Sequence, residues 1–176
     1  DGAGLHLSGG TLALNTCVFT GNGDLKGQFN GTNGGACYVT NDAAMTSAGS
    51  VFTNNRASYG GAFWSDSSGT QSFLGGSFDS NDAEYGGAIY VESAEAFSMN
   101  TVTVDSNSAV YGGGGLYLDC NQIELTSVQV TNNQVEDGYG AGIQVYGGVA
   151  DLVGCTFEGN TLNDGDFNGI NSDFRG

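Results

Sequence analysis

Positive charge is nearly missing from this chain: three Lys and Arg stand against 19 Asp and Glu in 176 residues, a formal net charge of −16. Nucleic acids and anionic lipid surfaces are held by cationic patches, so this balance argues against both as partners and leaves cation binding open. No apolar run approaches the roughly 20 residues that a membrane helix needs, which argues against membrane insertion by that route. Proline is absent and His occurs once. The four cysteines, Cys17, Cys37, Cys120 and Cys155, form no CxxC pair, which speaks against a zinc site. The chain begins at Asp1 without an initiator Met or a leader, as expected of a mature product or an excised piece.

Glycine is what the chain has in excess, 32 residues, against an ordinary share of about 7%. Its placement is periodic. The apolar residues that follow small-residue clusters are Leu5, Cys37, Phe63, Ile89, Leu116, Ile143 and Ile170, and after one longer step their spacings are 26, 26, 27, 27 and 27 residues. A second motif runs in phase, an apolar residue with Asn three positions later: Phe19/Asn22, Phe52/Asn55, Phe78/Asn81, Val104/Asn107, Val130/Asn133 and Phe157/Asn160. Between these marks there is no 3.6-residue periodicity, but short alternating segments punctuated by Gly, Asn, Ser and Asp. A fixed period of this length is the signature of a repeat array. These segments predict an all-β fold, a right-handed parallel β-helix of about six coils of 26–27 residues. Residues 1–176 form its single domain, with a longer connection at 21–33. No coil buries its apolar face alone, so the coils must fold as an array.

Alternation assigns faces. In the strand after each glycine cluster, Leu5/Leu7, Cys37/Val39, Phe63/Ser65, Ile89/Val91, Leu116/Leu118 and Ile143/Val145 are expected to point inward. Asn22, Asn55, Asn81, Asn107, Asn133 and Asn160 should align as a ladder, because an amide both donates and accepts. The outward residue between the inward pairs forms a column: His6, Tyr38, Trp64, Tyr90, Tyr117, Gln144 and Asn171. It is expected to be an exposed aromatic strip. Two readings stand: rings that favour strands and pack on each other, or a platform for sugar rings or a protein partner. A second column, Tyr59, Tyr85, Tyr111 and Tyr139 followed by Phe167, reads as turn packing.

The Gly-Gly-Ala-Ile run at Gly86–Ile89 and the Phe-x-x-Asn run at Phe78–Asn81 resemble the repeats of chlamydial polymorphic outer-membrane proteins, and the likeness extends over nearly the whole chain. That resemblance implies a secreted, adhesive passenger domain. The chain departs from the family's layout, since no strands of a membrane barrel follow.

Acidic residues also align. Asp66, Glu92 and Asp119 follow the aromatic column. Asp79 and Asp105 should sit on adjacent rungs, near the ~5–5.5 Å spacing of a retaining glycosidase, or share Ca²⁺, or simply be solvated. Asp164, Asp166 and Asn168 match the first half of a DxDxNG calcium loop, although its twelfth position is Arg175 instead of Glu. No motif requires a cofactor, and Ca²⁺ is the one ion the pattern suggests. Asn30 carries the only N-x-[ST] sequon. Coil spacing suggests the disulfides Cys17–Cys37 and Cys120–Cys155, against the alternative of buried free thiols.

The expectation is a non-catalytic extracellular or cell-surface protein, structural or adhesive. Glycans, surface proteins or further copies are its expected partners. Capless terminal coils lead us to expect that something outside the chain covers them, such as a copy stacked end to end into a filament. The alternative is a polysaccharide-active enzyme using Asp79 and Asp105. A lyase is disfavoured because Lys26, Arg56 and Arg175 show no sign of converging.

Overall fold

A computed structural model describes residues 2–24 and 28–163. They wind into a parallel β-helix in which every named strand pairing is parallel. Successive rungs start at Leu5, Cys37, Phe63, Ile89, Leu116 and Ile143, each in register with the next. Six rungs enclose five full turns, so the estimate of about six coils is one too many for the described residues. The last expected rung, with Phe167, Ile170 and Asn171, lies outside them.

Three sheets line the coil. The first has nine strands, because each of the upper three turns contributes two short strands while each of the lower three contributes one long one: Ile89–Asn100, Leu116–Thr126 and Ile143–Val153. The second sheet stacks six strands, Val18–Thr20 through Thr156–Glu158, and the third stacks five, Arg56–Tyr59 through Thr161–Leu162. The inward residues predicted by alternation fill the core. Phe52 stacks between Phe19 and Phe78 at 5.0 and 4.6 Å, one ring per rung.

The Asn ladder closes the corner between the second and third sheets. From Asn55 to Asn160 each amide oxygen accepts from both the backbone N–H and the Nδ2 of the Asn one rung earlier, at 2.9–3.0 Å, with Asn22 as the first donor. From Asn55 to Asn160 each Nδ2 also donates to the carbonyl of the motif Phe or Val one rung earlier, such as Phe78 O for Asn107. The residue just before each interior Asn is left-handed: Asn54, Ser80, Ser106 and Asn132 have φ of 52–57°. Asn tolerates that conformation better than most side chains, and the turn it makes aims the next amide into the stack.

All four cysteines are free thiols, so neither Cys17–Cys37 nor Cys120–Cys155 is bonded. The members of each pair belong to different faces. Cys37 and Cys120 are buried in the first sheet. Cys17 and Cys155 sit just before strands of the second, with their Sγ atoms turned to the Asn15 and Leu125 carbonyls. Burial pushes the Cys37 and Cys120 thiols up to about 12.

Candidate functional site

The outward aromatic column forms as a stack. His6 meets Tyr38 at 4.8 Å between ring centroids, Tyr38 stacks on Trp64 at 4.7 Å, and Tyr90 stacks on Tyr117 at 4.4 Å. Parallel in-register pairing brings these rings onto neighbouring rungs, since Tyr38, Trp64, Tyr90 and Tyr117 are directly opposed along the sheet.

Stacking changes what the column shows to solvent. Trp64 is only 6% exposed, so the expectation of a fully exposed strip is corrected there. Tyr38 stacks on one face of its ring. Tyr38, Tyr90 and Tyr117 are half-buried, and His6 is exposed.

The second tyrosine column does more than pack a turn. Tyr59 and Tyr85 stack at 5.6 Å, and Tyr85 meets Tyr111 at 5.2 Å. Their edges then meet the first column: Tyr59 against Tyr90 at 5.4 Å and Tyr85 against Tyr117 at 6.2 Å, both T-shaped. Edge-to-face contacts are a favoured ring geometry, and here they join two columns into one surface. The glycine pair between them sets the fold-back. Gly86 takes φ +63°, and a side chain there would meet the Ile89 carbonyl and, at 2.9 Å, the Tyr90 Cβ.

Sequence reading missed Tyr146. Gln144 is opposite Tyr117 in register, but it is the Tyr146 ring that stacks on Tyr117, at 5.4 Å. Alternation was the available signal, because Tyr146 lies two residues beyond Gln144 on the same strand face. Tyr111, Tyr139 and Tyr146 are the open side of the surface, 43%, 61% and 63% exposed.

Carboxylates border the rings. Glu92 and Asp119 are exposed, paired in register, and two residues beyond Tyr90 and Tyr117. Desolvation raises the phenols of Tyr90 and Tyr117, with neighbouring phenols and carboxylates adding to it, and Tyr117 reaches about 12. The unfolded value is about 10. A phenol whose folded pKa is raised stabilises the fold fully below its unfolded pKa and loses that contribution as pH climbs through the folded one. Stability is therefore expected to fall from pH ~10 to ~12, measured as a declining urea midpoint by β-sheet dichroism, with Tyr90 and Tyr117 ionising late in the folded chain. Tyrosinate formation at all eight tyrosines near pH 10 in a folded chain would contradict it.

The second candidate site is the carboxylate pair. Asp79 and Asp105 do occupy adjacent rungs in register. Asp105 accepts from Thr131 Oγ1 at 2.5 Å, Asn132 Nδ2 at 2.9 Å and Ser106 Oγ at 2.8 Å, and these hydrogen bonds hold its carboxyl below the usual range. Such a shift suits the ionised carboxylate of a glycosidase pair and not its acid. Of the three cations, only Arg56 is among the described residues. Its guanidinium is paired with Asp82 and lies 3.9 Å over the Phe29 ring.

The other candidates stay apart. Asn30 is exposed, with its backbone N–H and the Thr32 hydroxyl both bonded to Asp24. Asp164, Asp166 and Asn168 lie outside the described residues, as do Lys26 and Arg175. Among the described residues no group of three or more His, Cys, Asp or Glu comes together to hold a metal.

Comparison with known proteins agrees with this geometry. No curated protein and no solved structure matches the chain. The family described as right-handed β-helix region matches residues 1–173, and the chain belongs to that family.

Proposed function

We propose that this β-helix is a non-catalytic extracellular or cell-surface protein whose aromatic surface is a contact site for a glycan or protein. The observation that carries this reading is the interlocking of two ring columns into one rigid surface with Tyr111, Tyr139 and Tyr146 open to solvent. Rigid amphipathic rings give contact area at little cost in side-chain entropy. The resemblance of the Gly-Gly-Ala-Ile and Phe-x-x-Asn repeats to adhesive passenger domains supports the same reading. Family membership alone leaves activity open, since the family includes both enzymes and non-enzymes.

The glycosidase reading on Asp79 and Asp105 is the alternative: a lowered Asp105 carboxyl suits the ionised member of such a pair, and no observation assigns an acid to stand beside it. The test is a panel of neutral and charged glycans and peptides, scored for both binding and hydrolysis. Binding lost in Tyr139→Ala/Tyr146→Ala, with no hydrolysis anywhere on the panel, is the expected result. Hydrolysis of any glycan that disappears in Asp79→Asn would overturn it in favour of the enzyme.

A further inference from the structure

We propose that the partner of the aromatic surface is a basic, arginine-rich polypeptide segment. This rests on the contact-surface reading above and adds the chemistry of the occupant. Three observations carry it.

The first is charge. Glu92 and Asp119 border the rings, and Glu84 precedes Tyr85. None of them has a salt-bridge partner among the described residues, where Arg56–Asp82 is the one ion pair. The chain as a whole carries −16. A second copy would bring the same charge to the same face, and an acidic polysaccharide would be repelled likewise. A cation is the complementary occupant.

The second is the kind of cation. Aromatic faces attract guanidinium groups, and carboxylates bind them in a two-pronged geometry that a lysine ammonium does not match. Tyr90 and Tyr117 are stacked face to face, so the open rings are Tyr111 and Tyr146, and the carboxylates lie beside them: Asp119 is in register with Gly147, next to Tyr146, and Glu92 is one rung from Asp119.

The third is a template inside the molecule. Arg56 lies over the Phe29 ring while bonded to the Asp82 carboxylate. The chain thus holds its own described arginine by the combination that the aromatic surface offers to a partner. A neutral sugar could stack on the rings but would leave the bordering carboxylates unneutralised.

Trp64, the only tryptophan, is stacked into the column and serves as the reporter. The probe is an oligoarginine peptide, compared with oligolysine, oligoglutamate and a neutral cello-oligosaccharide at matched length and two salt concentrations. Oligoarginine should bind most tightly. Its affinity should fall about tenfold or more in Tyr111→Ala/Tyr146→Ala, and comparably in Glu92→Gln/Asp119→Asn. Glu124→Gln/Asp151→Asn is the control. It removes an equally exposed in-register carboxylate pair elsewhere on the same sheet, so affinity should change less than about twofold at equal salt. Circular dichroism of each variant establishes that it is folded.

Equal losses in the two carboxylate variants would mean diffuse attraction and would overturn the proposal. Oligolysine binding as tightly as oligoarginine would also overturn it. Ring-dependent binding of the neutral sugar without oligoarginine binding would overturn the proposal and leave the contact surface standing. Ring-independent binding of every probe would remove both.

Discussion

Asn107→Ala should destabilise the protein by about 3–5 kcal/mol, the largest effect expected of any single side-chain truncation here. Asn107 is fully buried. Its oxygen accepts from Asn81 N–H and Asn81 Nδ2, both at 2.9 Å. Its Nδ2 donates to the Phe78 and Asp105 carbonyls and to Asn133 Oδ1. Alanine leaves the buried Asn81 N–H without its acceptor and takes one partner each from Asn81 Nδ2, Asn133 Oδ1 and the Phe78 and Asp105 carbonyls, and an unmet buried group costs about 1–3 kcal/mol. The donor at Asn81 N is backbone and cannot turn to another acceptor. Asn121→Ala is the comparison, because that amide is exposed and bonds only to Glu95. It should change stability by less than about 0.5 kcal/mol. Urea unfolding followed by far-ultraviolet dichroism measures both. A loss below about 1 kcal/mol for Asn107→Ala would mean that the ladder is not a principal source of stability.

Gly87→Ala should cost about 3 kcal/mol or more. Here the cause is space, not backbone conformation. A Cβ at Gly87 would land on the Gly114 carbonyl oxygen of the next turn and lie 2.5 Å from the Ser108 oxygen. Both are backbone atoms and cannot rotate aside. Gly87 N–H bonds to Gly113 O at 2.9 Å, and Ala88 N–H to Gly115 O at 3.1 Å. Making room for a methyl group would pull these rungs apart. Gly10→Ala separates the two causes, since Gly10 has φ +79° and nothing within 4 Å of its Cβ position. It should cost only the ~1–2 kcal/mol of a left-handed residue. Similar midpoints for the two variants in thermal unfolding would contradict the steric account. A Gly87→Ala loss well above Gly10→Ala would show that the second glycine of each pair sets how closely the turns approach.

The repeat made the fold legible because a β-helix places residues one period apart in direct contact. Counting from Phe52 to Phe78 or from Asn55 to Asn81 reads off a real neighbour, as the ring stacks and amide bonds show. Phase also gave the face, so the inward pairs and the Asp79–Asp105 rung pair could be named in advance. Phase does not carry the bend of each coil. Whether Tyr59 and Tyr90 touch depends on how sharply the chain turns between the third sheet and the first, and that is a matter of corner geometry. The unbonded cysteines have the same origin: one coil of sequence separation placed partners on neighbouring turns but on different faces.

Composition and period by themselves determined the parallel array, its core, its amide ladder and its negative charge, because each is set by residue type at a fixed spacing. Only the tertiary structure decided which rings are open, that Trp64 is covered while Tyr146 joins the stack, and that hydrogen bonds hold the Asp105 carboxyl below the usual range. Exposure and protonation depend on atoms arriving from neighbouring turns and faces, here Tyr38 over Trp64 and the Thr131 hydroxyl on Asp105. Those positions follow from how the coil bends and stacks, which a one-dimensional period does not encode.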